Sequence, residues 1–122
     1  MLTFPVEIVL KGRDVAVTES VSVPVSEPSG WDDDAVRAVL VAILRAIDRA
    51  ENPEAAADRA VALRGFSWIV EPAGSQVVIA IEIPMGAAVA GPFRIGQADL
   101  DRKIAGVLAQ ERQLSTAPNT VH

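Results

Sequence analysis

The stretch IEIPMGAAVAGPFRIG, residues 81–96, decides the fold of this chain. It places three glycines and two prolines directly after a run of alternating isoleucines. Because glycine and proline mark turns and loops, the stretch is interpreted either as a connector between a strand and a helix or as a loop that holds a ligand. The chemistry of its glycines and the elements on both sides of it favour the connector.

Gly86 and Gly91 have the spacing of the glycines in a phosphate-binding loop, but the rest of that motif is missing. Pro92 and Phe93 occupy the positions of the Lys and Ser/Thr that would contact phosphate and magnesium. A glycine-rich segment before a helix can nevertheless bind an anion through its backbone amides. We therefore keep Gly86, Gly91 and the nearby Arg94 as candidate ligand- or partner-binding residues.

The first 25 residues predict a β-hairpin. Residues 2–10 alternate between inward apolar and mainly polar outward positions, as a half-buried strand does. Residues 15–25 alternate in the same way after a turn at residues 11–14. Pro24 and Pro28 end the second strand, because a prolyl nitrogen cannot donate a hydrogen bond to a neighbouring strand.

Two helices are predicted after this hairpin. Asp32 is the expected N-cap of the first, in which apolar side chains recur at helical spacing between residues 36 and 47. The Asn52-Pro53 pair is expected to cap and begin a second, short, alanine-rich helix that ends near Leu63, since proline is tolerated in the first helical turn.

The remainder of the chain predicts a second hairpin and a last helix. Two strands, residues 66–70 and 77–83, flank a turn at residues 71–75. The last helix is predicted over residues 97–113, where apolar residues recur at helical spacing. Residues 115–122 are small and polar and are expected to form a disordered tail.

The two halves of the chain follow the same order of elements. Each has a hairpin that turns at a glycine, a second strand that ends at a proline, a connector that ends in an aromatic residue, and an amphipathic helix. This order predicts a ββα-ββα pseudo-repeat in one α+β domain over residues 1–114. Its expected form is a two-layer sandwich: a four-stranded, mostly antiparallel sheet with helices on one face.

Composition and charge argue against several partners. The chain has 16 acidic and 11 basic residues, a net charge of -5, and no cluster of Lys or Arg. Nucleic acids and anionic membranes both require a basic surface, so neither is an expected partner. The N-terminal run carries Pro5 and Glu7 and no preceding basic residue, which predicts a strand rather than a signal peptide. A cytoplasmic location is expected.

Side chains suited to metal binding or nucleophilic catalysis are scarce. The chain has no cysteine, and its one histidine is the last residue, His122. The run Asp32-Asp33-Asp34 lacks the glycine and the closing glutamate of a calcium loop, and helix capping explains it. No catalytic residue, metal or cofactor is therefore predicted.

Glu19 is the residue whose type conflicts with its place in the pattern. Strict alternation puts its carboxylate on the inward face with Val17 and Val21. A β-bulge would turn it outward, whereas an inward charge would guard an edge strand, paired with a nearby cation such as Lys11 or Arg13. Alternatively, Glu19 is a desolvated carboxylate that lines a pocket, which makes it a candidate ligand- or partner-binding residue.

These features predict a non-enzymatic protein-interaction module that forms a homodimer. It would bind itself, and in addition another protein, through the outer sheet face or an exposed edge. That face is expected to be partly apolar, because it carries Val9, Ala16, Ile69, Val78 and Ala80. Two alternatives stay open. One is a small-molecule-binding domain or enzyme with a pocket near the Gly86–Gly96 connector, using Glu19 and backbone amides. The other is a small acidic chaperone.

Overall fold

The computed structural model describes residues 1–13, 15–54 and 61–116, with side chains described as far as Arg112. The elements follow in the order β1 (Leu2–Leu10), β2 (Val17–Val23), a 3-10 turn (Pro28–Gly30), α1 (Asp33–Glu51), β3 (Ser67–Ala73), β4 (Gln76–Ile83), β5 (Gly86–Phe93) and α2 (Gln97–Thr116). The class is therefore α+β, as the sequence predicts.

The five strands of the described residues form one antiparallel sheet in the order β2-β1-β5-β4-β3. Both helices pack on one face of the sheet, which we call the covered face, and β2 and β3 are its edge strands. The opposite face, which we call the open face, carries the intervening residues of the same strands. No helix of the described residues is long and apolar enough to cross a membrane.

The core lies between the covered face and the two helices. Its strand residues are Phe4, Val6, Ile8, Leu10, Val21, Val23, Val70, Val77, Ile79, Ile81, Ala88, Ala90 and Phe93, and its helix residues include Val36, Val39, Leu40, Ile43, Leu44, Ile47, Leu100, Ile104 and Val107. Phe93 packs edge-on against Phe4 and Trp31, with ring centroids 5.0 and 5.3 Å away. The buried Trp31 donates its indole hydrogen bond to the Ser26 carbonyl, so its polar atom is satisfied.

Helix α1 begins where the sequence predicts. The Asp32 side chain accepts a hydrogen bond from the Ala35 amide at 2.9 Å, which satisfies one of the free donors at the helix start. Asp33 and Asp34 lie in the first turn, where negative charge is favourable to the helix dipole. The apolar stripe of α1 is buried against the sheet, and this face fixes the position of the helix.

The predicted connector at residues 81–96 is wrong: most of it is β5, which lies in the centre of the sheet between β1 and β4. Pro84 and Met85 form a two-residue turn, and the chain then returns antiparallel to β4. The sheet therefore has five strands where four were predicted. The order ββα-βββα in the described residues does not show the ββα-ββα pseudo-repeat.

Three further boundaries differ from the sequence prediction. Asn52 is the C-cap of α1, with its amide bonded to the Asp48 carbonyl, rather than the N-cap of a second helix. The predicted short helix falls mainly on residues 55–60, outside the described residues, and residues 61–63 are not helical. At the end of the chain α2 continues to Thr116, so the predicted tail loses its first two residues, and residues 117–122 lie outside the described part.

Candidate functional site

The four residues that the sequence singles out do not form one site. Glu19 lies on the edge strand β2, whereas Gly86 and Gly91 lie near opposite ends of the central strand β5. Arg94 follows β5 and is exposed. No residue of this set contacts another in any hydrogen bond or ion pair found among the described residues, so they provide no common binding geometry.

Glu19 points to the covered side of β2 and binds α1. The Nε and Nη2 atoms of Arg49 donate to its Oε1 at 3.0 and 2.7 Å. The pairing of β2 with β1 passes through Glu19 without a register shift, so the β-bulge alternative is wrong. An inward charge on an edge strand is confirmed, but its partner is Arg49 rather than Lys11 or Arg13.

The environment of Glu19 does not match the pocket alternative. The side chains of Glu19 and Arg49 are 29% and 41% exposed, so the pair is only partly removed from water. A carboxylate in a desolvated pocket would either have no cation beside it or be buried together with its cation, and Glu19 fits neither case. The pair instead joins β2 to α1 at the edge of the sheet.

Gly86 and Gly91 have structural roles in β5. A Cβ atom on Gly86 would lie 2.3 Å from the Val9 carbonyl oxygen, so only glycine allows β5 to approach β1 this closely. Gly91 has φ +123° at a register irregularity opposite Val77 and Ile79, in a region that side chains rarely adopt. Residues 86–90 pair with strands on both sides, and Phe93 pairs with Val77 of β4, so the segment forms no loop around a ligand.

The open face offers a different candidate site. Its strands place Val89 beside Ala80, and Ala80 beside Ile69, while Val9 lies opposite Ala87 on the neighbouring pair. Val9, Ile69 and Val89 are 46%, 54% and 41% exposed, although all three belong to regular strands. We call this group, with the partly exposed Val78, Ala80 and Ala87, the open-face stripe; it crosses β1, β5, β4 and β3.

Carboxylates surround the open-face stripe. Glu7 pairs across the strands with Val89, Glu82 with Ala87, and Glu71 with Val78. The strand residues of this face include no Lys or Arg, and the side towards β2 carries hydroxyl groups, of which Thr3 and Ser22 are hydrogen-bonded at 2.8 Å. The face is therefore apolar along its stripe and acidic beside it.

The sequence identified part of the open-face stripe. Val9, Ile69, Val78 and Ala80 were expected on the outer sheet face, and the structure places them there, whereas Ala16, also expected there, precedes β2. Val89 and Ala87 were missed, because the segment that holds them was interpreted as a connector. The alternation of Ala88 and Ala90 with these two residues is the signal that could have identified them, although alanine carries it weakly.

Chemically reactive groups give no competing site in the part of the chain that the structure describes. That part contains no group of three or more His, Cys, Asp or Glu side chains that could hold a metal ion. Hydrogen bonding from Arg102, assisted by the charge of Lys103, lowers the pKa of Asp99, but this cluster lies on the exposed start of α2.

Comparison of the chain with protein-family models, curated proteins and solved structures found no match.

Proposed function

We propose that this protein is a non-enzymatic interaction module that forms a homodimer through its open face. The observation that carries the proposal is the open-face stripe, in which Val9, Ile69 and Val89 stay between 41% and 54% exposed on regular strands. Apolar side chains that line up on one surface favour association, because contact removes them from water.

Face-to-face packing of two sheets suits this surface. Two sheets pack about 10 Å apart when the side chains of their facing strands interdigitate, and the helices would then lie on the outside of the dimer. The edge strand β3 is a poorer contact, because Pro72 interrupts its row of backbone donors. A twofold axis through the stripe would place each valine against the same apolar surface of the second copy.

The carboxylates of the open face give this dimer a characteristic salt dependence. Glu7, Glu71 and Glu82 of one copy would approach the same residues of the other, without basic side chains on the strands of that face. Salt screens this repulsion, so the homodimer is expected to strengthen as ionic strength rises. A basic partner protein on the same face would give the opposite dependence.

A pair of valine substitutions tests the proposal. Val89 and Val17 are both strand residues and both 41% exposed, but Val89 lies on the open face and Val17 on the covered side of the edge strand β2. Val89→Asn should weaken the dimer at least about tenfold, because a polar amide would be desolvated at the interface. Val17→Asn should leave the dimer unchanged.

Sedimentation velocity of the two variants, at matched concentrations, reads out this difference. Circular dichroism of each variant shows whether the fold is kept. If folded Val89→Asn and Val17→Asn proteins associate as the unchanged chain does, the open face is not the contact surface, and the proposal is wrong.

A further inference from the structure

A groove lies between the edge strand β2 and helix α1, on the side of the molecule away from the rest of the sheet. It has a volume of about 330 Å³. One wall is the strand segment Ser20–Pro24, and the other is formed by Ala38, Val41, Ala42, Arg45 and Arg49 of α1. This groove is distinct from the open face, and of the four residues that the sequence singled out only Glu19, through its partner Arg49, lies at its edge.

On the strand wall of the groove, backbone N–H and C=O groups of β2 are available to pair with an added strand. β2 pairs with β1 on one side only, and no other strand of the described residues lies on its outer side. The backbone N–H and C=O groups that point outward from an edge strand can pair with an added strand, which is a common mode of peptide binding.

The helix wall of the groove is shaped for small apolar side chains. Ala38, Val41 and Ala42 are each partly buried, and they follow helical spacing along the side of α1 that faces the groove. In an added strand, alternate side chains would point towards this wall while the others point away from it. The segment that fits is therefore extended, with apolar side chains at alternate positions.

The arginines of the groove determine which charged side chain the bound segment is expected to carry. Arg49 is neutralised by Glu19 at one end of the groove. Arg45, one helical turn earlier, is exposed and has no hydrogen bond or ion pair with any side chain that the structure describes. A carboxylate in the added strand would meet this free guanidinium, whereas a lysine would be repelled by it.

We propose that the groove binds an extended segment of a partner protein, which pairs with Ser20–Val23 as an added strand and places an acidic side chain beside Arg45. The Glu19–Arg49 pair limits the added strand at one end, and Pro24, which has no N–H to donate, limits it at the other. The segment thus spans about four to six residues. This proposal does not depend on the homodimer, which uses the opposite face.

Synthetic peptides test the proposal directly. The probes are blocked hexapeptides of alternating valine and threonine with one glutamate, moved through each position in turn, and a matched series with lysine in its place. Binding is followed by nuclear magnetic resonance, from the amide signals of Ser20–Val23. The best glutamate peptide should shift these signals and should bind about fivefold more tightly than its lysine match, the scale of a partly exposed ion pair.

Two variants and one modified peptide separate the contributions. Arg45→Gln should remove the preference for glutamate, whereas Arg94→Gln, the same charge change on an exposed arginine away from the groove, should keep it. N-methylation of alternate peptide amides should abolish binding, because it removes main-chain donors and leaves the side chains intact. The proposal is overturned if millimolar peptide leaves the Ser20–Val23 signals unmoved, or if Arg45→Gln keeps the preference.

Discussion

The two faces of the sheet use similar residues in different surroundings. In β1, Ile8 and Leu10 on the covered face are 1% and 6% exposed, while Val9 between them on the open face is 46% exposed. Residues of the two faces alternate along the same strand, but helices pack on only one of these faces. The apolar content of a strand therefore does not itself define the core. Residues that the helices cover stabilise the fold, and those left on the other face are available for association.

Truncation of two neighbouring residues of β1 should separate the contributions of the two faces to stability. Ile8→Ala should lower the free energy of unfolding by about 2 to 5 kcal/mol, because it leaves a cavity under the helices. Val9→Ala should lower it by less than about 0.5 kcal/mol, because the side chain is already half in water.

Urea unfolding measures both values. It is best done in the Val89→Asn background, so that self-association adds no stability to either variant. Equal losses at the two positions would mean that the two faces are covered to a similar extent, contrary to the structure.

Most elements of the fold could be predicted from periodicity, and β5 could not. The period of two in β1, β2 and β4 and the helical period in α1 and α2 follow from burial of one face, which the sequence records directly. β5 consists mainly of alanine, glycine and proline: alanine is depleted in strands, and glycine and proline usually signal loops. Gly86 is required by the close approach of β5 to β1, and the sequence alone does not reveal such a tertiary contact.

Sequence periodicity likewise predicted only part of the candidate site, because tertiary contacts complete it. Alternation was enough to place Glu19 on the covered side, because β2 keeps its register with β1. Its partner, Arg49, lies 30 residues away, and only the packing of α1 on β2 brings the two together. The open-face stripe was predicted in part, and the part contributed by β5 was missed with that strand.

A substitution in the central strand β5 should give the next largest loss of stability. Gly86→Ala should lower the free energy of unfolding by about 1 to 3 kcal/mol, since the new methyl group would collide with the backbone of Val9 and Leu10. The matched control is Gly106→Ala in α2, where the new Cβ would meet no described atom within 4 Å apart from its chain neighbours and the backbone of its own helix.

The midpoint temperatures of thermal unfolding of these two glycine variants should therefore move in opposite directions. Alanine at position 106 should stabilise the helix by up to about 1 kcal/mol. A Gly86→Ala protein as stable as the unchanged chain would show that β5 does not need its close approach to β1.

Glu19, the charged exception on the covered side, gives the smallest expected effect. Its pair with Arg49 is partly exposed, so a double-mutant cycle of Glu19→Gln and Arg49→Gln should give a coupling of only about 0.2 to 1 kcal/mol. Glu19→Val should be close to neutral, because apolar contact offsets the lost pair. A coupling of several kcal/mol in urea titrations would mean that this pair is buried and that the covered side tolerates charge.

Self-association of the unchanged chain is the property that the open-face stripe most clearly predicts. A stable open-face dimer is expected to bury on the order of 1,000 Å² or more. Sedimentation equilibrium over the micromolar range should show twice the 12.9 kDa of one chain, with the dimer favoured further at higher salt. A single 12.9 kDa species at every concentration and ionic strength would contradict the claim that the open face binds a second copy.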